Sequence, residues 1–133
     1  MDSKQYQRES GATDNRDYSP IQNRVKKEEA SKLLHYILGV GSEAGELQDQ
    51  LKKHFIYGKD LDRANLIEES GDVLWYLSRM LVLLDSSLEE AMEKNNAKLK
   101  ARYGDKFTEH AALNRDLEKE RAVLEEDNND QKN

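Results

Sequence analysis

GSEAGEL at residues 41–47 and EESGDVLWYL at residues 68–77 each hold a carboxylate pair, Glu43 with Glu46 and Glu69 with Asp72. Three-residue spacing puts both members of a pair on one side of a helix. Both pairs adjoin strongly apolar runs, where an uncompensated charge is costly. Two such helices packed together would bring four carboxylates to one place, and the economical reading is a divalent-cation site. Oxygen-only donors favour Mg²⁺, with Mn²⁺ as the alternative.

Spacing alone is a weak signal, because Glu46 with Asp49, Glu90 with Glu93, Asp14 with Asp17 and Asp127 with Asp130 share it. Most such pairs are solvated helix faces. The two chosen pairs differ by their apolar neighbours and by the small residues within them, Gly45 and Gly71. A di-iron carboxylate bundle would need Glu-x-x-His motifs. The residues three before His35, His54 and His110 are Lys32, Leu51 and Phe107, so that motif is missing.

Working outward, Leu33, Ile37, Val40, Ala44, Leu47 and Leu51 recur at spacings of four and three, which predicts a helix from about Lys27 to Tyr57. Gly39 and Gly41 interrupt it and call for a kink or close helix packing. Gly58 is a C-terminal cap candidate. Asp60-Leu61-Asp62 offers an N-cap for a second helix over about 62–84, with Leu66, Val73, Leu77, Met80 and Leu84 on one face and Glu69 inside that face. The end of this helix is apolar all round, which predicts burial on several sides, including a subunit contact. For Trp75 core packing is expected. A third helix runs from Leu88 to about Tyr103 and stops near Gly104.

Outside these, residues 2–12 suggest a short helix weakened at Gly11, and 13–24 a polar connection in which Ser19-Pro20 marks a turn or helix start. Residues 112–126 suggest one charged helix using Leu113, Leu117 and Leu124, and the stretch from Glu125 to Asn133 reads as disordered. The division is therefore 1–26, a short helix and polar connection; 27–107, a helical domain that carries both carboxylate pairs; and 108–133, a charged helical or disordered tail.

The chain has 133 residues, 36% of them charged and 36% hydrophobic, with one Pro, seven Gly and no Cys. That fits one all-α domain and excludes disulfides and zinc–thiolate sites. A net charge of −6 argues against nucleic acid or an anionic membrane as partner. The start of the chain lacks the apolar core of a secretory signal, and the longest apolar run is too short to span a bilayer, so a cytoplasmic protein is the expectation. There is no Walker A loop and no dinucleotide glycine pattern. Lys52, Lys53 and Lys59 follow the first carboxylate pair, while Lys98 and Arg102 share a face of the third helix with Asn95 one turn earlier. Each is ordinarily a solvated surface residue; beside a metal cluster they would clamp a polyphosphate. Tyr76, four residues beyond Asp72, shares its face and would reach a base or sugar.

Glu43-Ala-Gly-Glu46, twenty-two intervening residues and Glu69-Ser-Gly-Asp72 resemble the E-x-x-E and E-x-x-D motifs of the MazG-like nucleoside triphosphate pyrophosphohydrolases. The string from Gly71 to Leu77 looks like that family's second motif helix, and Asn95-Asn-Ala-Lys98-Leu-Lys-Ala-Arg102-Tyr103 is similar to its last helix. The resemblance covers about residues 33–107. It implies an all-α fold with a four-helix core, assembled as a homodimer or homotetramer. It also implies hydrolysis of a nucleoside triphosphate between the α and β phosphates, with Mg²⁺ held by Glu43, Glu46, Glu69 and Asp72. Glu69 is then essential to catalysis, and Glu46 is the candidate general base. Lys53, Asn95, Lys98 and Arg102 would hold phosphates, and Tyr76 would touch the nucleoside. The alternatives are hydrolysis of another phosphoanhydride, such as an alarmone or a dinucleotide, and a non-catalytic helical oligomerisation or regulatory module.

Overall fold

The computed structural model describes residues 1–125, all in helices, turns and connections; the disorder expected for the extreme C-terminus falls mostly on residues 126–133, outside that range. The described helices are α1 (Ser3–Gly11), α2 (Ser19–Val25), α3 (Glu28–Phe55), α4 (Arg63–Leu83), α5 (Leu88–Tyr103), α6 (Glu109–Leu113) and α7 (Leu117–Glu125). The all-α expectation holds. None of these helices is long and apolar enough to cross a membrane.

Local chemistry sets the boundaries of the three long helices. α3 ends where Gly58 takes φ +65°, and the Gly58 and Lys59 amides return to the carbonyls of His54 and Lys53. Left-handed backbone there suits Gly, and the returning amides satisfy the carbonyls a helix end leaves unpaired. α4 starts at Asp62, whose carboxylate accepts from the Asn65 amide at 3.0 Å. α5 starts at Ser87, whose hydroxyl accepts from the Glu90 amide at 3.1 Å, and it stops at Gly104, again at φ +65°.

α3 and α4 pack along each other as an antiparallel hairpin, by far the most extensive contact among the described helices. Leu33, Val40, Ala44 and Leu47 of α3 and Leu66, Val73, Leu77 and Met80 of α4 are half-buried. Gly39 is the one buried residue of α3. A Cβ there would lie 2.3–2.5 Å from ring atoms of Tyr76, so its missing side chain is what lets the α4 tyrosine seat on α3. Gly41 has nothing within 4 Å of a Cβ, and the close-packing argument does not extend to it.

α5 turns away from this hairpin. It packs chiefly on α7, meets α4 only sparingly, and makes no packing contact with α3. The single helix expected over 112–126 is two, because Asn114-Arg115-Asp116 breaks it and Asp116 caps the second piece through the Lys119 amide. Leu113 and Leu117, expected to organise that helix, are largely exposed, and the buried residue of α7 is Glu120.

Among the described residues no apolar side chain is fully buried. The accessible surface is 11199 Å², against about 7,200 Å² for a compact monomer of 15.4 kDa. Trp75, expected in the core, is 53% exposed and touches Tyr36 and Tyr76 edge-on. Leu34, Ile37, Leu38, Leu74 and Val82 are also open on the outer faces of the hairpin.

Candidate metal centre

The hairpin register decides which carboxylates meet. Gly39 lies one turn before Glu43 on α3, and Tyr76 one turn after Asp72 on α4, so their contact holds the two acidic turns opposite each other. Glu43, Glu69 and Asp72 converge there: each offers an oxygen within 4.8 Å of the others. Glu43 and Glu69 are half-buried and Asp72 is exposed. Desolvation pushes the Glu43 carboxyl above its ordinary range, and the Glu69 and Asp72 carboxylates beside it push in the same direction.

Among the described residues no Lys or Arg forms an ion pair with any of the three. Three convergent carboxylates could hold a hard divalent ion, and their mutual repulsion is what such an ion would relieve.

Glu46 lies one turn further along α3, exposed and outside this group, although its charge is felt by Glu43 and by Lys53. Lys53 is held by Asp49 at 2.8 Å, and Lys52 takes the other oxygen of that carboxylate at 2.9 Å. The two ammonium groups bring the Asp49 carboxyl down to about 2. Tyr76 is half-buried between Gly39 and the His35 ring, whose centroid is 5.8 Å away. Asn95 is exposed and Lys98 half-buried, both on α5. Arg102 is engaged elsewhere, by Glu120. The structure thus brings three of the four motif carboxylates together and leaves the α5 residues on a helix that does not pack against α3.

Two participants were not singled out from the sequence. Asn65 Nδ2 donates to Glu69 Oε1 at 2.9 Å, while Asn65 Oδ1 is buried without a partner. Only the amide nitrogen can donate to a carboxylate, so this orientation follows from the bond. An Asn one turn before Glu69 on the same helix face was the available signal. The second is Glu120, which meets Arg102 of the last motif from eighteen residues further on and for which spacing gave no signal.

The family model of the MazG nucleotide pyrophosphohydrolase domain matches residues 29–107. A 75-residue stretch is 33% identical to the Gene 37 protein of Mycobacterium phage L5, covering 53% of this chain and 65% of that protein. The chain therefore spans somewhat less than two thirds of that relative's length. No solved structure matches. With more than half of its residues inside the family model, the chain belongs to the MazG nucleotide pyrophosphohydrolase domain family.

Proposed function

Starting from that membership, we propose that the protein is a Mg²⁺-dependent nucleoside triphosphate pyrophosphohydrolase, releasing a nucleoside monophosphate and pyrophosphate. The observation that carries this reading is the convergence of Glu43, Glu69 and Asp72, inside the matched region and with no Lys or Arg ion pair among the described residues. Those three would hold the ion, with Glu46 as a further ligand or as the base. Bound Mg²⁺ supplies positive charge at the phosphate under attack and favours ionisation of an attacking water. Glu46 is exposed and not drawn into the group of three, which suits it to take the water's proton. Glu69, fixed by Asn65, is the carboxylate whose geometry is most constrained.

Lys53, Asn95, Lys98 and Arg102 are the proposed phosphate contacts and Tyr76 the nucleoside contact. For Lys53 this requires an exchange of Asp49 for a phosphate oxygen. The α5 residues need that helix, or the same helix of a second copy, brought to the carboxylates. We read the assembly as a homodimer or homotetramer, supported by the open apolar faces of α3 and α4 and the large accessible surface. Sedimentation at equilibrium would show a single 15.4 kDa species if this part is wrong.

The reaction is tested by incubating the protein with each ribo- and deoxyribonucleoside triphosphate, in Mg²⁺ or in EDTA, and separating the products. Monophosphate plus pyrophosphate, lost in EDTA, is the expected result, and the best substrate names the base and sugar. Diphosphate plus orthophosphate would refute the bond assignment. Turnover only of an alarmone or dinucleotide would move the site to another phosphoanhydride. No turnover, with no thermal shift from Mg²⁺ plus nucleotide, would leave a non-catalytic helical module.

A further inference from the structure

Glu120 of α7 is 4% exposed, the only buried charged residue among the described residues. Two guanidinium groups grip its carboxylate, each with two nitrogens. Arg102 donates from Nε to Oε1 at 2.8 Å and from Nη2 to Oε2 at 2.6 Å. Arg115 donates from Nε to Oε1 at 3.2 Å and from Nη2 to Oε2 at 2.7 Å. The Arg102 side chain is 14% exposed, and its guanidinium carbon lies 5.4 Å from the Tyr103 ring centroid.

Three features make this more than a structural clamp. Among the described residues a single carboxylate faces the two guanidiniums, which leaves one positive charge over, so an anion with more charge and more oxygens would satisfy both forks better. The arginine fork fits a phosphate as well as a carboxylate. Finally, α7 is held more by this charge cluster than by apolar burial: Leu117 is 61% exposed, no apolar side chain of α7 is fully buried, and only Val123 and Leu124 are half-buried. Glu120 and Arg115 both lie beyond the family-matched residues, whereas Arg102 lies within them.

We propose that Arg102 and Arg115 form a polyphosphate-binding fork, that Glu120 is its built-in occupant, and that α7 undocks when pyrophosphate or the phosphate tail of a nucleotide takes its place. This rests on reading Arg102 as a phosphate contact, and it adds Arg115 as a second contact and the C-terminal helix as a competitor. Competition is reciprocal, so an anion that displaces Glu120 must loosen α7, and loosening α7 must strengthen anion binding.

The test uses the full chain in EDTA with inorganic pyrophosphate, so that no turnover is needed. Calorimetry reads affinity, and hydrogen exchange reads the α7 amides of residues 117–125. Pyrophosphate should speed exchange in α7 of the unaltered protein. Glu120→Gln should bind pyrophosphate about tenfold tighter, and Arg115→Ala should bind it more weakly although it also frees α7. A purely structural clamp predicts that both substitutions loosen α7 with affinity unchanged, which would overturn the proposal. So would α7 amides that stay protected at saturating pyrophosphate, or no pyrophosphate binding by any of the three proteins. A protein that hydrolyses nucleotides yet keeps α7 docked defeats only the latch. One that releases α7 but hydrolyses nothing defeats only the enzymatic reading.

Discussion

Two of the charge clusters among the described residues are built on opposite principles. On the α3–α4 hairpin, Glu43, Glu69 and Asp72 face one another with no positive partner among the described residues. Between α5 and α7, Glu120 has two arginines and every fork filled. In the first cluster, burial and neighbouring like charge oppose ionisation of Glu43, which a bound cation would relieve. The second is satisfied internally, and an external anion must compete for it. Their pKa perturbations run accordingly, with Glu43 pushed up and Glu120 brought down to about 2.

The largest effect that would sharpen this contrast is at Glu69. Glu69→Gln keeps the shape and removes one charge from the unpaired set. It should abolish measurable turnover, a loss of at least about 10³-fold, with far-ultraviolet circular dichroism unchanged. Activity within a few-fold of the unaltered protein would remove Glu69 from the site and leave the acidic convergence without a role.

Next comes Asn65, which aims Glu69 without being an acid. Asn65→Ala should weaken Mg²⁺ or Mn²⁺ binding about 10–100-fold, as the loss of a group orienting a metal ligand does, and leave the helical signal intact. Manganese titration followed by electron paramagnetic resonance reads it directly. An unchanged affinity would mean that the Asn65–Glu69 bond belongs only to the helix, and that the buried Oδ1 faces nothing of consequence.

Acid separates the clusters by sign. The folded-state pKa of Glu120 lies below its ordinary 4.5, so the stabilisation it gives α7 is complete above that value and is lost as pH falls through about 2. Amide resonances of α7 should therefore keep their docked positions at pH 5 and lose them between about 4.5 and 2. In Glu120→Gln no such transition should occur in that window. If α7 of the unaltered chain stays docked at pH 2, or if the variant titrates identically, the charge cluster is not what holds it.

Much of this architecture could be read from local signals. Asp62, Ser87 and Gly104 mark ends of α4 and α5 within one residue, and Gly58 the end of α3 within three, because caps act on the backbone beside them. The carboxylate pairs were legible as pairs, but which members meet depends on how α3 and α4 slide along each other. Periodicity alone leaves that register open, so nothing in the spacing of Glu43 and Glu46 said that one would join the cluster and the other stay outside it. The Arg102–Glu120 pairing spans eighteen residues and two short helices, with no repeat to announce it. Apolar spacing likewise told which faces of α4 seek cover; Trp75 shows that it does not tell whether the same chain provides it.

The smallest expected effect tests that register. Gly39 and Gly41 look equivalent in the sequence, two helix-weakening residues before the first acidic motif. Only one has a ring against it, with Tyr76 atoms 2.3–2.5 Å from where a Cβ would sit. Gly39→Ala must push Tyr76 off α3 and should destabilise by about 1–3 kcal/mol. Because the same contact holds the acidic turns opposite each other, it should weaken metal binding as well. Gly41→Ala meets nothing and should stabilise by about 0.5–1 kcal/mol through helix propensity alone. Thermal melts of the two variants, with and without Mn²⁺, compare them. If Gly41→Ala is the damaging one, then a second copy packs where α3 is open, and the face of α3 that governs the site is that one rather than the face against Tyr76.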